Sequence, residues 1–316
     1  MKKLLLIDAN SIIHRSFHAL PPFTTPEGKP SGAIYGLASI LLKLWREERP
    51  DYAAALFDRP EPTFRDEKYA EYKAQRPPTA DELVSQLIEA HKLFNAFGII
   101  TFERAGYEAD DLIATLAEKF KLLPDVQVVI LTGDRDTLQM VEGDKLVVQT
   151  FNKGVSDTTI YNEVAVIKKY GLAPSQLVDY KALVGDSSDN IKGVPGIGPK
   201  TALELIKRFG TVKEMYKQLD AAAMDGDALA KIREKFGSFR KEAELSEMLV
   251  TLERHAPIEI PAIEKFAPAD GTGTAAAYFE KMGFSTLLKR LLFPAIDEKP
   301  VSNSKQKPPD SQASLF

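Results

Sequence analysis

Cysteine is absent from this 316-residue chain, which also contains a single tryptophan. Without cysteine the fold cannot be held by disulfide bonds, and a metal ion must be bound through oxygen or nitrogen rather than thiolate. The composition therefore excludes a disulfide-stabilised secreted domain and a cysteine-ligated zinc site. It fits a reducing compartment, and we predict a cytoplasmic protein.

Long hydrophobic runs are missing as well. The start MKKLLLID imitates a signal peptide, but Asp8 interrupts the apolar run directly after Ile7. No stretch approaches the roughly 20 apolar residues that a membrane-spanning helix needs. The sequence therefore predicts a protein that is neither exported nor embedded in a membrane.

An excess of positive charge is also missing, because 45 acidic residues face 41 lysines and arginines and give a net charge of −4. This balance at first argues against a polyanionic partner. Setting nine acids aside as metal ligands leaves 36 against 41, so the rest of the chain carries about +5. Nucleic acid responds to the local potential, so the total charge does not exclude it.

The chain, 44% hydrophobic, has patterns that alternate between strand and helix. Strands are predicted at 2–7, 53–57, 99–102, 126–131 and 145–149, and amphipathic helices at 32–48, 80–97 and 108–120. Helical patterns dominate after Ile160 and include a final amphipathic helix at 275–292. This order predicts an α/β protein with a mostly parallel central sheet flanked by helices.

Nine carboxylates follow these short strands or begin helices, as in the runs LLLID, AALFD and VVILTGDRD. They are Asp8, Asp58, Glu108, Asp110, Asp111, Asp134, Asp136, Asp186 and Asp189. Because the carboxyl ends of parallel strands meet at one edge of a sheet, we expect these oxygens to form one site for two divalent cations, Mg²⁺ or Mn²⁺. The alternative is a set of unrelated helix caps and turn formers.

The segment GVPGIGPKTALELIKRFG, from Gly193 to Gly210, is rich in glycine. It fails the nucleotide-binding pattern G-x-x-x-x-G-K-[ST] because Pro199 separates the second glycine from the lysine. We interpret it as a hairpin between two helices that holds a DNA phosphate, although an ordinary glycine-rich connection fits too. The residues assigned to this contact are Lys192, Gly193, Gly196, Gly198, Lys200 and Thr201.

A second cationic stretch, RPEPTFRDEKYAEYKAQRPPT, is too charged to be core. Its basic residues alternate with aromatic ones, a composition suited to gripping a single strand and stacking on its bases. A solvated helix with i,i+4 ion pairs is the competing interpretation. The residues assigned to nucleic acid here are Arg65, Lys68, Tyr72, Lys73 and Arg76.

Four histidines, at positions 14, 18, 91 and 255, show no metal-ligand spacing, and we interpret them as structural or surface residues. The residues that follow the first strand do not match a phosphatase of the haloacid-dehalogenase type. That chemistry needs a second acid two residues after Asp8, and Asn10 occupies the position.

The runs LLLIDAN, FRDEKYAEYKAQR, AGYEADD, LTGDRD and LVGDSSDNIKGVPGIGPKTA together resemble the 5′-nuclease domains of bacterial DNA polymerases, members of the flap endonuclease family. The resemblance spans about residues 1–294. It implies a helical arch over the active site near 59–97 and a helix-hairpin-helix-type helical region. We therefore expect a nuclease core at 1–184, a helical DNA-binding region at 185–295 and a disordered tail at 296–316.

The resemblance also implies roles for individual residues. Asp8, Asp58, Glu108 and Asp110 resemble the ligands of a first metal, and Asp134, Asp136 and Asp186 those of a second. Asp111 and Asp189 match additional acids of bacterial members. Lys73 and Arg76 resemble arch residues that engage the scissile phosphate, and the hairpin resembles a duplex-binding element that in relatives also holds K⁺.

The last five residues, QASLF, resemble the sliding-clamp peptide Q-L-[SD]-L-F, with Ala313 replacing leucine. Gln312, Leu315 and Phe316 would contact the clamp. The sequence thus predicts a monomeric, metal-dependent 5′-to-3′ exonuclease and flap endonuclease that acts on 5′ flaps, nicks and RNA primers on DNA. An RNA-directed 5′ nuclease and a non-catalytic branched-DNA-binding module are the alternatives.

Overall fold

The computed structural model describes residues 1–152, 154, 157–221, 228–269 and 271–293. Within these ranges six strands form one sheet in the order β3-β2-β1-β4-β5-β6, parallel except for the antiparallel pair of β5 and β6. The strands are β1 (Lys2–Asp8), β2 (Tyr52–Phe57), β3 (Ile100–Glu103), β4 (Val126–Thr132), β5 (Leu146–Phe151) and β6 (Thr158–Tyr161).

Thirteen α-helices accompany the sheet in the described residues. Those of the first half are α1 (Ala9–Ala19), α2 (Gly32–Glu47), α3 (Phe64–Lys68), α4 (Asp81–Ala96), α5 (Ala109–Phe120), α6 (Glu163–Tyr170) and α7 (Gln176–Val184). The others are α8 (Pro199–Phe209), α9 (Val212–Ala221), α10 (Ala228–Phe236), α11 (Arg240–Val250), α12 (Thr272–Met282) and α13 (Ser285–Leu292). Short 3₁₀ helices cover Asp136–Met140, Gly237–Phe239 and Ile263–Phe266. No helix of these ranges is both long and apolar enough to cross a bilayer.

The predicted fold class is confirmed. All five predicted strands are present within two residues of their expected ends. Strands β1, β2, β4 and β5 are mostly apolar runs buried on both faces of the sheet, whereas the edge strand β3 is only partly buried. The predicted helices α2, α4 and α5 are also present, and α8 begins at Pro199 and stops at Gly210 as expected.

Three local features differ from the sequence prediction. Helix α1 and strand β6 were not predicted. The expected single helix at 275–292 is wrong, since it is divided into α12 and α13 at Gly283. Gly283 ends α12 in the left-handed conformation, with φ of 73°, which glycine adopts without a Cβ penalty. The expected tail at 296–316 lies outside the described residues.

Two apolar layers enclose the sheet, and the helical region adds a third core of its own. Helices α1, α2, α4, α12 and α13 cover one face of the sheet, while α5, α6 and the chain around Phe266 cover the other. Helices α7 to α11 pack around Ile206, Phe209 and Met215. In register, Asp8 pairs with Leu56 and Ile7 with Leu131, so β2, β1 and β4 end side by side at one edge of the sheet.

Candidate metal centre and nucleic-acid cleft

One cleft of about 280 Å³ opens where β2, β1 and β4 end. Five of the predicted acids line it, and the cations Lys73 and Arg76 stand at its rim. The acids are Asp8, Asp58, Glu108, Asp110 and Asp134. The structure therefore brings the predicted first group of acids together, at the edge where the strand order of the sheet reverses.

Local hydrogen bonds fix these acids, so the helix-cap interpretation is also correct for some of them. Asp8 caps α1, its Oδ1 accepting from the Ser11 amide at 2.9 Å, while its Oδ2 accepts from Thr132 Oγ1 at 2.6 Å. Asp58 Oδ1 accepts from the Ala109 amide at 2.7 Å, at the start of α5. Capping orients the carboxylates without removing them from the cleft.

Asp110 shows most directly that the cleft suits a cation. Its Oδ1 atom is inaccessible and has no hydrogen-bond partner among the described residues. Burial, followed by the charges of Asp8 and Asp134, raises the pKa of Asp110 well above its ordinary value. Burial likewise raises the pKa of Asp8 to about 7, despite the hydrogen bond from Thr132. A divalent ion would satisfy the oxygen and relieve this repulsion, so the residues present fit Mg²⁺ or Mn²⁺.

The second group of acids lines an adjoining depression of about 540 Å³, which shares Asp134 and Arg76 with the first. Lys181 of α7 bridges this group, since its Nζ donates to Asp136 and, at 2.6 Å, to Asp186 Oδ2. Burial, followed by the charge of Asp134, raises the pKa of Asp136 to about 7. Burial opposes ionisation of Asp186, but Lys181 outweighs it and lowers that pKa to about 2.

Lysine and arginine side chains therefore neutralise part of the acidic site. Lys73 Nζ lies 2.5 Å from Glu108 Oε1, and Arg76 Nη2 lies 2.5 Å from Asp189 Oδ1. In this arrangement no three acidic or histidine side chains of the described residues are already placed to hold an ion. The metal-ligand assignments stay a prediction, with Asp111 the exception.

The assignments of Asp111 to a metal and of Arg65 to DNA are wrong. Arg65 is 1% exposed and donates to both oxygens of the fully buried Asp111, at 2.7 and 2.8 Å. Asp111 also accepts from the amides of Glu108 and Glu253, so its oxygens are fully occupied. The two residues form a buried ion pair beneath the cleft.

Tyr72 is also buried, at 5% exposure, and the prediction that it stacks on a base is wrong. Its hydroxyl donates to Glu108 Oε2 at 3.1 Å, and burial together with the Glu108 charge raises its pKa. Lys73, by contrast, is half-buried at the rim and has a φ of 52°, which is rare for a residue with a side chain. Lys68 and Arg76 are exposed.

The segment 59–97, in which the arch is expected, contains α3, a run of turns and α4, and α4 packs on the sheet rather than over the cleft. Its turns lie against the loop that carries the last two acids. The Lys73 amide donates to the Asp189 carbonyl at 3.0 Å, and Lys192 pairs with Glu71 at 2.7 Å. The arch segment thus meets the beginning of the glycine hairpin.

The glycine hairpin has a buried part and an exposed part. Gly193 is buried and meets Gly185 so closely that a Cβ on Gly193 would lie 2.3 Å from the Gly185 nitrogen. Its role is close packing, and the prediction that Gly193 contacts DNA is wrong. Gly196, Gly198 and Lys200 are exposed, and Thr201 is half-buried in the first turn of α8.

Sequence reasoning missed three polar residues of the site. His14 lines the first cleft and Arg15 the second, both on the unpredicted helix α1. Burial and the nearby His18 lower the pKa of His14. Lys181 lies in none of the sequence motifs, so the sequence gives no signal for its place in the site. Recognising that Asp8 caps a helix would have placed Asn10 and His14, four residues apart, on the face turned to the cleft.

Two family models match the chain in succession. The 5′-3′ exonuclease N-terminal resolvase-like domain matches residues 3–171, and the 5′-3′ exonuclease C-terminal SAM fold matches residues 172–270. The chain belongs to the 5′-3′ exonuclease family. This result confirms the resemblance proposed from the motifs.

Individual relatives agree with this family. A 5′-3′ exonuclease of Aquifex aeolicus is 40% identical over 261 residues, covering 82% of this chain and 85% of that protein. DNA polymerase I of Bacillus subtilis is 38% identical over 290 residues, covering 92% of this chain but only 32% of the polymerase, so the chain spans about a third of that relative.

Among solved structures, the D15 flap endonuclease of bacteriophage T5 superposes with a TM-score of 0.64 at 21% identity. The match covers 92% of this chain and 98% of that one. At this identity the likeness shows the shared fold.

Proposed function

We propose that this 5′-3′ exonuclease family member is a structure-specific, metal-dependent 5′ nuclease that hydrolyses DNA phosphodiesters at flaps and nicks. The observation that carries the proposal is the inaccessible, unbonded Oδ1 of Asp110 amid four other acids, under a rim of cations. The structure of the T5 relative contains DNA and metal ions, which supports the same ligands here. RNA primers on DNA are a second proposed substrate.

Each group of residues has a separate task in the proposed reaction. Asp8, Asp58, Glu108 and Asp110 would hold one divalent ion, and Asp134, Asp136 and Asp186 a second, with Asp189 beside them. When bound, such ions polarise the phosphate and supply an activated water. Lys73 and Arg76 would leave Glu108 and Asp189 to neutralise the charge that develops on the scissile phosphate.

The exposed part of the hairpin would bind the duplex without reading its sequence. Backbone amides at Gly196 and Gly198, the N-terminus of α8 and the side chain of Lys200 are suited to a phosphate, with K⁺ a proposed aid. Contacts to phosphate carry no base information, so the substrate would be selected by its shape. We propose that the protein works as a monomer in the cytoplasm.

The decisive experiment compares three 5′-labelled substrates: a flap, a nicked duplex and a single strand, each with Mg²⁺ and with chelator. We expect short 5′ products from the flap and the nick in Mg²⁺ only. A flap with ribonucleotides at its 5′ end tests the RNA-primer proposal. Cleavage that persists in chelator, or equal cleavage of the isolated single strand, would contradict the proposal.

Lys73→Ala is expected to slow single-turnover flap cleavage by roughly 100- to 1000-fold, the usual effect of removing one group that stabilises transition-state charge. Flap binding, measured in Ca²⁺, should weaken far less because the hairpin is untouched. Lys92→Ala, which removes an exposed lysine from α4, is the control. Equal losses of cleavage and binding in Lys73→Ala would reassign Lys73 to substrate docking.

Deletion of residues Gln312 to Phe316 tests the proposed clamp peptide, which lies outside the described residues. We expect cleavage of a free flap to be unchanged and binding to a bacterial sliding clamp to be lost. A chain whose last five residues are scrambled provides the control for length and composition. Undiminished clamp binding by the truncated chain would reject the motif.

A further inference from the structure

Residues 249–256, which comprise the end of α11 and the segment after it, are held mainly by side chains that reach them from the acid-bearing parts of the core. We call this segment the strap. Gln139 grips it from one side: its Nε2 donates to the Val250 carbonyl, and its Oε1 accepts from the Leu252 amide, both at 3.0 Å. The same Nε2 donates to the Asp136 carbonyl at 3.0 Å. Gln139 therefore joins the strap directly to a proposed metal ligand.

Arg65 and Asp111 hydrogen-bond to the backbone of the strap from the other side. Arg65 Nε donates to the Leu249 carbonyl at 2.9 Å, and its Nη2 donates to the Thr251 carbonyl at 2.8 Å. Asp111 Oδ1 accepts from the Glu253 amide at 2.9 Å. Arg65 Nη1 also lies 3.4 Å from Glu108 Oε2, so Arg65 links the strap to a second proposed metal ligand.

The hydrogen bonds of Gln139 and those of Arg65 and Asp111 therefore connect the two acidic groups through the backbone of the strap. Gln139 belongs to the 3₁₀ helix that begins at Asp136, in the second acidic group. Asp111 lies in the first turn of α5, beside Asp110 and the capping residue Glu108 of the first group. The side chains of Gln139 and Arg65 are both buried, at 6% and 1% exposure. Buried hydrogen bonds of this kind are costly to break and define position closely.

The strap is also continuous with the helical region. Leu249 and Val250 end α11 and form a buried cluster with Tyr72 of the arch and Ile191 of the hairpin approach. A movement of this region on binding a duplex would act on the strap at its first two residues. Through Gln139 and Arg65 it would act on both acidic groups.

We propose that Gln139 and Arg65 are positioning residues that set the separation of the two acidic groups and couple it to the helical region. The inference rests on the proposed metal site and deepens it. Neither side chain needs to touch an ion or the substrate. Residues that orient metal ligands in this way commonly change metal affinity about 10- to 100-fold when they are replaced.

The test is titration of the DNA-free protein with Mn²⁺ by calorimetry, comparing the wild type with Gln139→Met. Methionine keeps the length of the side chain and removes its three hydrogen bonds to backbone. We expect Mn²⁺ affinity to fall at least about tenfold. Amide exchange at Leu252 should be slowed by Mn²⁺ in the wild type and not in the variant.

Gln86→Met is the matched control. Gln86 is equally buried, at 2%, and also bonds to backbone, accepting from the Ala33 amide at 2.8 Å and donating to the Glu82 carbonyl at 3.1 Å. It lies among the helices of the opposite face of the sheet. The same substitution there should leave Mn²⁺ affinity unchanged, and an equal fall would overturn the proposal by showing a general loss of stability.

Arg65→Lys is a second variant, which keeps the positioning role testable if the Gln139→Met protein folds poorly. Lysine keeps a charge opposite Asp111 but cannot span the Leu249 and Thr251 carbonyls. We expect the same loss of Mn²⁺ affinity. Unchanged affinity in the folded variants would overturn the positioning role, whereas a wild type that binds no Mn²⁺ would refute the proposed metal site itself.

Discussion

An Asp110→Asn protein is expected to lose metal-dependent flap cleavage by about three orders of magnitude while unfolding less readily than the wild type in chelator. A bound ion contributes several kcal/mol to transition-state stabilisation, and loss of about 4 kcal/mol lowers a rate about 1000-fold. The opposite effect on stability follows because burial, Asp8 and Asp134 all disfavour the charged carboxylate that asparagine removes. Relief of such strain typically stabilises a protein by about 1 kcal/mol.

The pH dependence of that stability difference has a definite sign. The pKa of Asp110 is raised in the folded protein, so ionisation favours the unfolded state. The variant's advantage should be full above the raised pKa and disappear below about pH 4, where Asp110 is protonated in both states. Urea unfolding in chelator across this range measures it. Asp125→Asn, at an exposed acid just before β4, is the control and should change neither property. Greater stability of the wild type in chelator at pH 8 would contradict this account.

The sheet and one acidic group were predictable because they follow from patterns of short range. A strand buried on both faces is a run of apolar residues, and the parallel order brings the ends of β1, β2 and β4 together whatever the loops contain. An acid directly after each strand must then lie near that edge. Asp8, Asp58 and Asp134 follow from the sequence in this way.

The misassigned residues depend on which side of an element is buried, and composition does not reveal this. Arg65 and Lys68 lie three residues apart in one cationic stretch, yet Arg65 is buried on Asp111 and Lys68 is exposed. The partner of Arg65 is 46 residues away in the chain. Lys181 likewise becomes part of the site only because α7 packs beside the 3₁₀ helix at Asp136. Pairings over such distances require the assembled fold.

Arg65→Met is expected to lower the free energy of unfolding by about 3–5 kcal/mol, because it leaves the Asp111 carboxylate buried without its counter-charge. The Leu249 and Thr251 carbonyls lose their donors as well. Urea denaturation in chelator at pH 7 gives the value. Arg46→Met, which breaks an exposed ion pair with Glu47 at 3.4 Å, should change it by less than about 1 kcal/mol.

Adding Asp111→Asn to Arg65→Met separates the unpaired charge from the lost hydrogen bonds. The double variant should be more stable than Arg65→Met alone by about 1–3 kcal/mol, although a further native group has been removed. Asparagine carries no charge, and its oxygen can still accept from the Glu108 or the Glu253 amide. If the two single losses simply add, the charge of Asp111 is not what makes Arg65 necessary. The strap carbonyls would then account for the whole effect, and Arg65→Lys should be as unstable as Arg65→Met.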